Sequence, residues 1–128
     1  MSEPVFLTVA QVEILHQKSI ARFGGALGVR DRGLFESAII QPQHTYYYAG
    51  GDLFDVAAAY AFHLAEAQAC FDGNKRTAVA SAFAFLMLNG VSTDFDSMPL
   101  HQAMIAVAEK QVDKVELATI FRRLCSQA

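Results

Sequence analysis

At 128 residues, 53% hydrophobic and 18% charged, the chain has the length of one domain with enough apolar content to bury a core without disulfide staples, which excludes a disordered polypeptide. A net charge of -3 supplies no basic field for a polyphosphate backbone, so nucleic acid is not expected as a direct partner. No apolar run approaches the roughly 20 residues of a membrane span, Met1-Ser2-Glu3-Pro4 lacks the basic start of a secretory leader, and Cys70 and Cys125 have neither metal-ligand nor redox spacing, so a cytoplasmic domain with reduced thiols and no membrane partner is expected.

Thr8 with Gln11 forms a capping box that opens a first helix. Val9, Val12, Leu15, Ser19 and Phe23 share one face of it, and Gly24-Gly25 ends it. After a loop from Ala26 to Arg30, the spacing predicts a short helix from about Asp31 to Ile40, closed by Gln41-Pro42 because the residue before a proline is pushed out of the α region. Residues 43–52 carry the strand character of the chain: Thr45, Tyr46, Tyr47 and Tyr48 are β-prone, and Ala49-Gly50-Gly51-Asp52 can turn it back. Either an irregular hairpin flap or an aromatic-rich loop packed on the core fits this stretch. Leu53 to Cys70 reads as a helix apolar on most of its circumference, with His63, Glu66 and Gln68 among its polar members. A similarly apolar helix begins near Asn74 and ends at Asn89-Gly90; Ser97 and Pro99 start a fifth helix running to about Lys110. Asp113 with Glu116 starts a sixth, which carries Val115, Leu117, Ile120, Phe121 and Leu124. Residues 1–128 are therefore expected to form a single all-α domain, a compact bundle of about six helices with one short irregular β-hairpin flap.

The polar turn Asp72-Gly73-Asn74 joins the two most apolar helices. One reading is purely local: glycine permits a tight turn and Asn is a favoured N-cap. Lys75 and Arg76 point further, because two cations in a first helical turn oppose the macrodipole unless an anion sits there. Backbone amides, a glycine, an ammonium and a guanidinium together make a phosphate cradle, and Asp72 beside it suits Mg²⁺, which takes one or two carboxylates plus phosphate oxygens.

The run Phe71-Asp72-Gly73-Asn74-Lys75-Arg76-Thr77-Ala78 resembles the central motif of the Fic/Doc family, and specifically its death-on-curing (Doc) branch. Phe6-Leu7-Thr8, Arg22-Phe23-Gly24-Gly25, Arg30-Asp31, Gly33 to Ala38 and Gln41-Pro42-Gln43 are similar to Doc-type sequence as well, so the likeness spans roughly Phe6 to Gly90. The resemblance implies a toxin of a toxin–antitoxin pair, restrained in trans by an antitoxin protein. Its chemistry would be ATP- and Mg²⁺-dependent transfer of phosphate, or of AMP, to a protein hydroxyl, with elongation factor Tu as the implied target. Carried across, Asp72 would hold the metal, Gly73 and Asn74 would form the anion nest, Lys75 and Arg76 would bind phosphates, and the flap with His44, Thr45, Tyr46 and Tyr47 would align the target by strand addition. The second arginine of the longer Fic motif falls at Val79, and no Ser/Thr-x-x-x-Glu inhibitory segment occurs.

The pattern breaks at two positions: the family's catalytic histidine falls on Gln68 and the motif phenylalanine on Cys70. A glutamine amide does not take up a proton near neutral pH, and general-base catalysis is worth about 10² to 10⁴ in rate. Counted along a continuous helix, His63 points away from Gln68 and Glu66 faces elsewhere, while His16 and His101 belong to no visible constellation. The alternative to an active toxin is therefore a degenerate module that keeps the cradle and a partner surface.

Overall fold

The computed structural model describes residues 3–127 and folds them as six helices: α1 (Val9–Phe23), α2 (Arg32–Ala49), α3 (Leu53–Ala67), α4 (Asn74–Leu88), α5 (Met98–Ala108) and α6 (Lys114–Cys125). Helix α3 is the axis. Every residue from Val56 to Ala61 is fully buried, and four of those six are alanines, so α2, α4, α5 and α6 can pack closely around it. Helix α1 lies on α4. No helix among the described residues is long and apolar enough to cross a membrane.

The predicted start signals operate as expected. Thr8 Oγ1 accepts from Gln11 N while Gln11 Oε1 accepts from Thr8 N, and Asp113 and Glu116 repeat the exchange at α6. Gly24 (φ 85°) stops α1, and Gly90 (φ 79°) follows the end of α4.

Two stretches differ from the sequence expectation. Helix α2 does not close at Gln41-Pro42: it runs through Pro42 to Ala49 and ends at Gly50 in the left-handed region. An interior proline costs about 3 kcal/mol through a lost hydrogen bond and a clash, but here the apolar stripe Phe35, Ala38, Ile39, Pro42 continues at helical spacing and is buried throughout, so tertiary burial carries the helix past it. His44, Thr45, Tyr46 and Tyr47 are thus helical, not a hairpin flap, and among the described residues the β-pairing is a single bridge, Val29 with Cys70. Helix α3 in turn stops at Ala67, leaving Cys70 in that bridge and outside any helix; both cysteines are free, and burial pushes both thiols up.

The tyrosines assigned to the flap instead clasp the N-terminal segment. The Phe6 ring packs on Tyr46, Tyr47 and Phe85, Asn89 brackets the Val5 backbone through both its amide atoms, and Tyr60 Oη accepts from buried Leu7 N at 2.8 Å. Replacing Tyr60 with phenylalanine leaves that amide buried without an acceptor, a loss of about 1–3 kcal/mol. Urea unfolding of Tyr60→Phe is expected to show a lower midpoint with an unchanged m value.

Candidate functional site

The segment between α3 and α4 is held from both sides. Ala69 O accepts from Arg30 N at 2.7 Å and from Asp31 N at 3.0 Å, Gly28 O accepts from Phe71 N at 3.1 Å, and Arg30 Nη2 donates to Gln68 O at 2.7 Å. From the other side, the Asn74 amide accepts from Cys70 N at 2.9 Å and donates to Cys70 O at 3.0 Å. That use of Asn74 corrects its expected role as an N-cap: Gly73 is the cap residue, in the left-handed region with φ 74°. A side chain at Gly73 would meet Arg76 Nη2 at 3.1 Å and Ile20 Cδ1 at 3.2 Å, so conformation and space both call for glycine.

Asp72 faces the end of α1, where its Oδ2 accepts from Ala26 N at 2.6 Å. His16, on α1, is 1% exposed. Gly28 N donates to its Nε2 and its Nδ1 donates to buried Thr77 Oγ1, so the ring is neutral with its proton on Nδ1. Burial holds His16 below the usual imidazole value, and the charge of Arg76 acts in the same direction against Glu13. The sequence offered no role for His16; its partners, Gly28 and Thr77, are distant in the chain and only the fold assembles them.

Over the turn opens a cleft of about 740 Å³, within the range of small-molecule sites. Gln68, Asp72, Gly73, Asn74, Lys75 and Arg76 all line it, so every expected member of the motif is brought together. His44, Thr45, Tyr46 and Tyr47 do not line it. Helix α4 begins there with no side-chain cap and no acidic residue in its first turn, so its exposed amides and the positive end of its dipole meet the cleft alongside Lys75 and Arg76. Arg76 also donates through Nη2 to Gly24 O at 3.0 Å and lies over the Phe23 ring at 5.3 Å. Phe23, expected on the core face of α1, is in fact 60% exposed and forms one wall.

The opposite wall was not foreseen. It comprises Ala65 and Glu66 from α3 and Ala108 and Lys110 from the end of α5, with Lys110 Nζ paired to Glu66 Oε2. Glu66 lines the same cleft as Gln68 because α3 ends between them: Gln68 adopts φ 46°, and extrapolating the helix through it gives the wrong direction. Gln68 and Lys110 (φ 64°) are the non-glycine residues of positive φ among those described. Both border the cleft, where such strain tends to collect. Among the described residues no histidine lines it. His63 sits at the α3–α6 contact with Nε2 3.2 Å from Lys114 Nζ, and burial together with that ammonium pushes it down to about 4.

A model of the Fic/DOC family matches residues 6–86. Among curated proteins, the chain is 45% identical over 112 residues to "Toxin Doc" of Mycolicibacterium smegmatis, covering 83% of this chain and 84% of that protein. It is 37% identical over 115 residues to "Protein kinase doc" of Escherichia phage P1, covering 89% and 90%.

The depressed imidazoles make folding pH-dependent. A group held neutral in the fold, His63 at about 4, gives the unfolded chain more bound protons below its ordinary value of about 6.5, so the contribution is complete above that pH and is lost as pH falls through the folded value. Denaturation of His63→Gln measured across this window is expected to show a shallower decline in stability than the parent chain.

Proposed function

The chain belongs to the Fic/Doc family as a Doc-type toxin, and on that premise we propose that its cleft binds the phosphates of ATP and transfers phosphate to a protein hydroxyl. The observation that supports this is the start of α4: an uncapped helix end carrying Lys75 and Arg76 opens directly onto a 740 Å³ cleft. Backbone amides there receive phosphate oxygens, the Lys75 ammonium neutralises charge, and the remaining donors of Arg76 fix the phosphate against Gly24 and Phe23. Asp72 fits a magnesium ion, since its Oδ2 is engaged by Ala26 and its Oδ1 has no hydrogen bond among the described residues. When bound, the ion would be held by Asp72 and would offset negative charge on the phosphates.

The partner in this reading is an antitoxin acting in trans. An apolar groove of about 410 Å³ between α1 and α4, lined by Leu7, Ile14, Leu15, Ala84, Met87 and Leu88, offers it a surface. The phosphate acceptor is a translation protein, with elongation factor Tu the first to test; the curated relative named as a protein kinase favours phosphate over AMP. A second reading, binding without turnover, is favoured by Gln68 at the histidine position and by the absence of any histidine among the described residues of the cleft wall.

Incubating the protein with Mg²⁺, a bacterial translation extract and either γ- or α-labelled ATP separates these readings. Transfer of the γ-label by the parent chain is the expected outcome. Labelling by Gln68→His alone would instead support the binding reading, and transfer of the α-label would make the chemistry nucleotidyl transfer. Calorimetry on Lys75→Ala should show ATP affinity weakened by about tenfold or more, since a charge-assisted hydrogen bond contributes about 1.5–3 kcal/mol; unchanged affinity would remove the cradle.

A further inference from the structure

Resting on the phosphotransfer reading, we propose that Glu66 is the general base, taking the role that Gln68 cannot perform. The carboxylates lining the cleft are Asp72 and Glu66. Asp72 is turned toward the end of α1 and bonded to Ala26 N, beside the cations that receive phosphate. Glu66 stands on the other wall with α5, and its side chain is 27% exposed, open to a ligand yet partly shielded. Its two oxygens are inequivalent: Oε2 accepts from Lys110 Nζ, whereas Oε1 has no partner among the described residues. Lys110 therefore orients the carboxylate and leaves one oxygen free to receive a proton. The left-handed turn at Gln68 makes this possible, because it removes the helical continuation that would otherwise separate the two positions.

The step balances without a further reactant. The acceptor hydroxyl passes its proton to Glu66 Oε1 as its oxygen forms a bond to the γ-phosphorus. The bond from that phosphorus to the bridging oxygen breaks, and the electron pair leaves with ADP, whose charge meets Lys75, Arg76 and the α4 amides. A carboxylate suits this proton transfer, because phosphoryl transfer depends chiefly on positioning and charge neutralisation, and protein kinases use an aspartate to accept the hydroxyl proton. Lys110 is the positioning residue.

The test measures γ-phosphate transfer to extract protein and to water, with ATP affinity by calorimetry and thermal stability measured in parallel, for the parent chain, Glu66→Gln, Lys110→Met, Gln68→His and the double variant Glu66→Gln/Gln68→His. Glu66→Gln is expected to lower kcat by about 100-fold or more with ATP affinity and melting temperature nearly unchanged. The double variant is expected to recover activity, because an imidazole at position 68 again supplies a base; a merely structural Glu66–Lys110 pair would not be rescued in this way. Retention of at least half the parent turnover by Glu66→Gln overturns the assignment, as do equal losses of kcat and stability from Glu66→Gln and Lys110→Met without rescue. If the parent chain transfers nothing while Gln68→His does, both the assignment and phosphotransfer by this chain fail; if only the Glu66 result is negative, phosphotransfer stands.

Discussion

The carbonyl of Ala69, shared between the amides of Arg30 and Asp31, is the contact on which the geometry of the cleft depends. It ties the entry to α2 to the exit from α3, two points almost forty residues apart, and the neighbouring Gly28–Phe71 and Arg30–Gln68 bonds hold that exit in place. Backbone groups without a regular helix or sheet partner must find one elsewhere if buried. Here they find it in each other, and the chain between two apolar helices is held in a single path. His16 and Thr77 add a further tie, a neutral imidazole that joins Gly28 of the α1–α2 loop to the first turn of α4.

The same lacing brings two differently charged groups of residues to the cleft. On one wall, α4 presents its amides, Lys75 and Arg76, with Asp72 beside them bonded through Oδ2 to Ala26 N. On the other wall, Glu66 and Lys110 compensate each other. In the proposed phosphotransfer, the first side would take the phosphates and the second the acceptor hydroxyl. The two non-glycine residues held at positive φ among those described, Gln68 and Lys110, both border the cleft. Their strain marks a place where the packing of α3 and α5 overrides local preference.

The helix count, the capping boxes at Thr8 and Asp113, the buried hairpin of α3 and α4, and the gathering of Asp72 to Arg76 at one place were legible in the sequence, because each rests on signals within a few residues of one another. The departures from expectation have a common origin. Pro42 and the tyrosines after it are local signals against a helix, and they lost to a stripe of side chains buried against α3. Asn74 is a good N-cap by type, yet its amide was needed to bracket Cys70. Phe23 fits the apolar face of α1 by spacing, yet at the last turn that face has run past the core and borders the cleft.

By itself, then, the sequence determined an all-α domain and the family to which it belongs, with a polar turn that sets Lys75 and Arg76 at a helix start, since composition, periodicity and a contiguous motif are properties of the unfolded string. Only the tertiary structure decided what faces that turn. Glu66 is two residues from Gln68, and periodicity sends the two apart; a single left-handed residue, imposed by the bonds to the α1–α2 loop, turns them onto one cleft. Lys110, more than forty residues further on, reaches it because α5 packs on α3. Such placements arise from how the chain closes on itself, and no stretch of residues read alone carries them.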